Sequence, residues 1–231
     1  MFGLFYFDWT ILIVLPALIF SIWAQINVNS TFDKYSKVRT KRGITGADAA
    51  RRVLNENGLY DVRIERVQGH LTDHYDPRAN VIRLSDSVYD SGTAAAVGVA
   101  CHEAGHAVQY AKHYFPIKVR AAIIPITRFG SALAMPLFIL GLIFVFDALI
   151  LAGIILYSAV TFFQLVTLPV EFNASSRAMA AIKSSGMLAP DEYTASGKVL
   201  RAAAMTYVAA LASSILTLLR LLVLATGRRR N

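Results

Sequence analysis

The chain has a single cysteine, Cys101, in 231 residues, so no internal disulfide can brace it. It is also poor in charge. Only 16% of its residues are Asp, Glu, Lys or Arg, where a soluble domain carries about 25%. Hydrophobic residues make up 55%. One or two soluble domains would not absorb so much apolar surface, and the excess is expected in membrane spans. Acidic residues are scarce as well, 15 against 23 Lys plus Arg, for a net charge of +8. That balance alone could suggest a nucleic-acid binder with strong salt dependence. No basic module interleaved with aromatics is present, so no nucleic-acid partner is expected. Basic residues in a membrane protein more often flank spans on the cytoplasmic side. The sequence shows neither an internal repeat nor a low-complexity tract.

Histidine is scarce too, five in all, yet two of the five stand in a telling place. The stretch Ala100-Cys101-His102-Glu103-Ala104-Gly105-His106-Ala107-Val108 carries His-Glu-x-x-His inside an Ala-rich, helix-compatible segment, about Thr93 to Ala111. Residues i and i+4 share one helical face, about 5–6 Å apart at Cβ, so His102 and His106 can hold one metal ion together. Glu103 lies one step round the helix, placed to act as general base on a metal-activated water rather than as a ligand. Cys101 adjoins His102 but reads as a small buried packing residue, because sequence neighbours on a helix point to different sides.

In chain order, residues 1–24 read as an uncleaved transmembrane anchor, with the apolar run starting at Phe2 and Asp8 given no role. Residues 25–128 form the expected catalytic region. It opens with a basic stretch, Lys34, Lys37, Arg39, Lys41 and Arg42, which suits a topology signal or a contact with anionic lipid. A short amphipathic helix follows, capped by Thr45 or Asp48 and ended by Gly58. Strands are expected from Asp61 to Val67 and from Val81 to Ser85. The second precedes the motif helix, where an extended substrate could pair with a strand edge. His70 to Pro77 reads as a polar loop, so His70 and His74 are not expected to form a second metal pair.

Residues 129–170 carry one charge, Asp147. As a single helix they would span about 63 Å, twice a ~30 Å hydrocarbon core, so a transmembrane hairpin turning at Asp147 is expected. Residues 171–201 are read as a helix beginning at Glu171 plus a link. Residues 202–231 are read as a transmembrane or membrane-associated helix with a basic tail, in which Arg220 must snorkel or pair. Three or four spans are compatible with this layout. The basic residues near the span ends put the catalytic region on the cytoplasmic face, and Arg228, Arg229 and Arg230 dissent if the last segment crosses.

A catalytic zinc commonly takes three protein ligands and leaves one position open. The hairpin returns Glu171 to the side bearing His102 and His106, which makes it the candidate third ligand. Asp73, Asp76, Asp191 and Glu192 share that side and stay open on this argument. The sequence His102-Glu103-Ala104-Gly105-His106-Ala107, taken with Leu168-Pro169-Val170-Glu171-Phe172-Asn173-Ala174-Ser175, resembles the bacterial integral-membrane neutral zinc metallopeptidases, the YugP-type membrane proteases. The resemblance covers nearly the whole chain and extends more distantly to the HtpX heat-shock proteases and the prenyl-protein endopeptidases. It implies His102, His106 and Glu171 as Zn²⁺ ligands and Glu103 as general base. Those distant relatives carry Asp where this chain has Ser175, a position that would steady a ligand histidine.

The expected fold is a mainly α membrane protein with three or four transmembrane helices. Its catalytic region is a zincin-like α+β arrangement with a small β-hairpin or sheet next to the motif helix. The expected function is a zinc-dependent membrane endopeptidase, localised to the cell membrane as a multi-pass protein. Its partners are protein or peptide substrates, membrane proteins among them, and the lipid bilayer. His74, Tyr75, Arg177 and Tyr193 are candidates for stabilising an oxyanion. The alternative is a non-catalytic membrane scaffold or chaperone that keeps zinc for stability. The intact Glu103 argues against it, since a structural site needs no base.

Overall fold

The computed structural model describes residues 8–228, so Phe2 to Phe7 of the expected anchor, and Arg229 and Arg230, lie outside it. Among the described residues the elements run α1 (Ile11–Tyr35), α2 (Gly46–Glu56), β1 (Arg63–Val67), β2 (His74–Asp76), β3 (Val81–Ser85), α3 (Ala94–Ala111), α4 (Phe115–Ile143), α5 (Asp147–Ser185) and α6 (Pro190–Arg228). The protein is mainly α, with a small sheet. Four of its helices, α1, α4, α5 and α6, are long and apolar enough to cross a membrane. The chain forms two compact units, each drawn from separate stretches of sequence.

One unit comprises the described residues up to Trp23, Val119–Thr167 and the chain from Tyr207 onward. It is built from helices with large apolar side chains left exposed, among them Leu12, Ile19, Ile139, Leu151, Ile155 and Leu222. That surface fits hydrocarbon, because helices satisfy their own backbone polar groups and need only apolar neighbours outside. Inside the unit, small residues let backbones approach. A Cβ on Gly153 would lie 2.7 Å from the Ala134 carbonyl oxygen, and one on Gly141 would lie 2.6 Å from the Ile150 nitrogen. The α4–α5 hairpin is packed in this way. It turns at residues 144–146, and Asp147 stands in the first turn of α5, where a carboxylate complements the helix dipole. Arg220, on α6, donates from Nη2 to Asp8 Oδ2 at 2.6 Å and from Nε to Thr10 Oγ1 at 3.0 Å. The arginine therefore pairs, and Asp8, given no role from sequence, is its partner. The contact draws the start of α1 and the C-terminal part of α6 to the same end of this unit.

The other unit comprises Ala24–Lys118 and Leu168–Thr206. Its core is a continuous cluster including Phe32, Leu54, Ile82, Leu84, Val97, Ala104, Ile182, Met187 and Leu200. Thr45 caps α2 in a reciprocal box with Asp48. The apolar stripe Ala49, Ala50, Val53 and Leu54 is buried, and Gly58 takes φ +75° just past the helix end. The sheet order is β1-β3-β2, with β1 parallel and β2 antiparallel to β3. Val81, Ile82, Leu84 and Ser85 of β3 are buried, as a central strand requires.

Several expectations need correcting. The polar loop contains a strand, β2, too short and too polar to show alternation. β3 is flanked on both sides, so the strand that precedes the motif helix offers no free edge along its paired length. Helix α1 continues past residue 24 to Tyr35, and α4 begins at Phe115, so Lys118, Arg120 and Arg128 sit on a helix. Glu171 does not start a helix. It lies deep inside α5, which continues through Pro169. Proline there removes one backbone donor but does not end the helix.

Gly153→Ala should lower the thermal midpoint in detergent, at a cost of about 1–3 kcal/mol, because the added methyl meets backbone rather than a movable side chain. Gly227→Ala, where nothing lies within 4 Å of the added carbon, should leave the midpoint unchanged.

Candidate metal centre

Helix α3 is apolar on nearly every face, and most of it is buried. Thr93 caps it, its side chain accepting from the Ala96 nitrogen. Two glycines set what can come near. A Cβ on Gly98 would lie 3.2 Å from Ser196 Cβ of α6, and one on Gly105 would lie 2.8 Å from the Ala174 carbonyl oxygen of α5. The Gly105 contact brings the α5 backbone against the motif helix. Glu171 and Ser175, one turn apart on α5, then face the two histidines.

The resulting geometry is compact. Glu171 Oε2 lies 3.3 Å from His102 Nε2 and 3.4 Å from His106 Nε2. The two imidazole rings are 4.7 Å apart at their centroids and nearly perpendicular. Among the described residues this is the one group of three or more His, Cys, Asp or Glu side chains that could share a metal, with donor atoms all within 4.8 Å of one another. Glu171 and His106 are buried, and His102 is nearly so. A tetrahedral zinc with ligands at about 2.0–2.2 Å needs donor separations of roughly 3.3–3.5 Å. The two histidine–glutamate distances meet that requirement, and the imidazole and carboxylate donors are of the kind zinc takes.

The ring nitrogens that face away from Glu171 are also held. His102 Nδ1 is 3.1 Å from Ser175 Oγ, and His106 Nδ1 is 3.0 Å from Gln109 Oε1. Such outer partners orient ligand histidines. Ser175, at the position where the distant relatives carry Asp, thus stands beside His102. Gln109 was missed, although its position three residues after His106 puts it on the same helical face.

Glu103 is buried and makes no hydrogen bond or ion pair with the described residues. Its charge nevertheless acts on its surroundings. Burial opposes a charge on His106, but the hydrogen bond to Glu171 and the Glu103 and Glu171 carboxylates outweigh it and raise the His106 pKa. Burial also raises the Asp73 carboxyl, against hydrogen bonds from Ser85, and the charge of Glu103 pushes it further up. Cys101 is fully buried, and that burial pushes its thiol up, which suits packing rather than ligation.

The other acids considered as third ligand are committed elsewhere. Asp73 accepts from the Ser85 nitrogen and hydroxyl. Asp76 pairs with Arg83, and Asp191 with Lys41. Glu192 accepts from the Lys41 and Ala189 nitrogens. Of the oxyanion candidates, the Tyr75 hydroxyl donates to Asn80 and Arg177 Nε donates to Asn173. Tyr193 packs against the core, and His74 Nδ1 lies 2.9 Å from the Thr72 carbonyl oxygen. His70 stands beside Phe32 and Asp33, outside the strand that carries His74.

The family described as "Putative neutral zinc metallopeptidase" matches residues 10–226. The chain is 50% identical over 222 residues to "Putative membrane protease YugP" of Bacillus subtilis (strain 168), covering 96% of this chain and 99% of that one. No solved structure matches.

Zinc uptake should fall as pH drops through the raised His106 pKa, because a protonated imidazole cannot ligate. Titrated between about pH 8 and pH 5, binding should begin to weaken above the ordinary imidazole value of ~6.5. Undiminished binding at the acid end would contradict this coupling.

Proposed function

Because this chain belongs to the putative neutral zinc metallopeptidase family, we propose that it is a zinc-dependent membrane endopeptidase that hydrolyses peptide bonds. The observation that carries the reading is the convergence of His102 Nε2, His106 Nε2 and Glu171 Oε2, with separations of 3.3 and 3.4 Å from the carboxylate oxygen to the two nitrogens. These three residues would hold the ion. Bound there, zinc supplies Lewis-acid polarisation of the scissile carbonyl and lowers the pKa of the attacking water.

The chain's own residues have separable tasks. Glu103, free of partners among the described residues, takes the proton from the water and passes it to the leaving amine. Glu171 contributes negative charge and is fixed on α5. Ser175 and Gln109 keep the two imidazoles in place. An extended peptide would add to the free edge of β2 rather than to β3, which is already flanked on both sides. β2 packs next to α3, where the Tyr75 and Tyr110 rings lie 5.7 Å apart. Substrates are proteins or peptides, membrane proteins among them. The basic residues around the span ends support a cytoplasmic catalytic face.

Glu103→Gln should bind zinc like the wild type but cleave an unstructured casein-like substrate in detergent about 10²–10⁴-fold more slowly. Equal cleavage by both would remove Glu103 from the mechanism. Zinc in both with cleavage by neither would favour a scaffold that merely retains the metal. For sidedness, Lys198→Cys in a Cys101→Ser background should react with an impermeant maleimide only after the cytoplasmic side is opened. Labelling of intact cells would reverse the assignment.

A further inference from the structure

Gln109 is fully buried, and every polar atom of its side chain is engaged. Its Oε1 lies 3.0 Å from His106 Nδ1. Its Nε2 donates to the Val170 carbonyl at 2.8 Å and to Asn173 Oδ1 at 3.0 Å. Asn173 Oδ1 in turn accepts from Arg177 Nε at 2.7 Å. This chain of contacts leaves the amide one orientation. Turned over, Gln109 would set its oxygen against two acceptors, the Val170 carbonyl and the Asn173 oxygen that Arg177 holds. With Oε1 facing the ring, His106 Nδ1 must be the donor. The lone pair of a neutral His106 is then on Nε2, the atom facing Glu171. Ser175 cannot impose this on His102, because a hydroxyl can donate or accept.

We infer that Gln109 is a positioning residue for the metal centre, its amide locked by Val170, Asn173 and Arg177 of α5 so that His106 is held as the Nδ1–H tautomer with Nε2 free to ligate. Val170 directly precedes Glu171, so the same amide ties a ligand on α3 to the turn of α5 that carries another. The inference rests on the zinc reading above. It adds a role for a side chain that touches neither the metal position nor the reacting atoms.

The test is the zinc dissociation constant, by chelator competition in detergent, together with the visible bands of the cobalt-substituted protein. Gln109→Leu removes the acceptor at similar volume and should weaken zinc about 10–100-fold and alter the cobalt bands. Asn173→Ala, at a half-buried position that contacts Gln109 and not the two histidines, should weaken zinc by a smaller factor and carries the test if Gln109→Leu does not fold. The inference is overturned if Gln109→Leu binds within about twofold of wild type with unchanged bands, or if Asn173→Ala has no effect. Wild-type protein that takes up no zinc would defeat the zinc reading, and this inference with it. Equal binding by wild type and all variants would defeat this inference alone.

Discussion

The site depends on one close approach, that of α5 to α3 at Gly105. With no side chain there, the Ala174 carbonyl reaches the motif helix, and Glu171, one turn earlier, is delivered between two imidazoles. A buried carboxylate is costly unless something answers its charge. The two imidazoles beside it answer that charge only in part, and a cation shared by the three groups would answer it further. The packing of small residues and the electrostatics of these three side chains are thus one constraint. Any side chain at residue 105 would push apart the groups that need each other.

A second dependence follows from continuity. Glu171 is carried by the same unbroken helix as the apolar stretch that begins at Asp147. A ligand on a long helix is held more rigidly than one on a loop, which suits a centre whose donors must keep their separations. Holding the far nitrogens of both histidines completes the same logic. Glu103 differs from its neighbours in having no partner among the described residues. A ligand benefits from being tied, whereas a group that must gain and lose a proton benefits from being left available.

Much of this was legible in the sequence because it depends on local spacing. The i, i+4 histidines, a motif helix from about Thr93, a cap at Thr45 or Asp48 and a hairpin turn close to Asp147 follow from helical period, cap chemistry and span length. The link from Glu171 to the motif crosses 65 residues, and the sequence alone left four other acids open. In the structure Glu171 stands with the two histidines while the other four acids have partners no pattern shows, such as the backbone nitrogens that Glu192 accepts from. What stayed hidden shares that long-range character. β2 has only three polar residues, and the sheet order that makes β3 central is set by pairing across the chain. The Asp8–Arg220 pair joins residues 212 apart. The helix expected to begin at Glu171 is instead the continuation of α5, whose interior tolerates the one donor lost at Pro169.

The most direct test is the zinc-edge X-ray absorption of the purified full chain in detergent, alongside Glu171→Ala. The account predicts one zinc per chain with two imidazoles and otherwise oxygen in its coordination shell, no sulfur, and a centre that loses its metal or its carboxylate contribution in the variant. A shell containing sulfur, or one unchanged by Glu171→Ala, would contradict the assignment of His102, His106 and Glu171 as the ligand set.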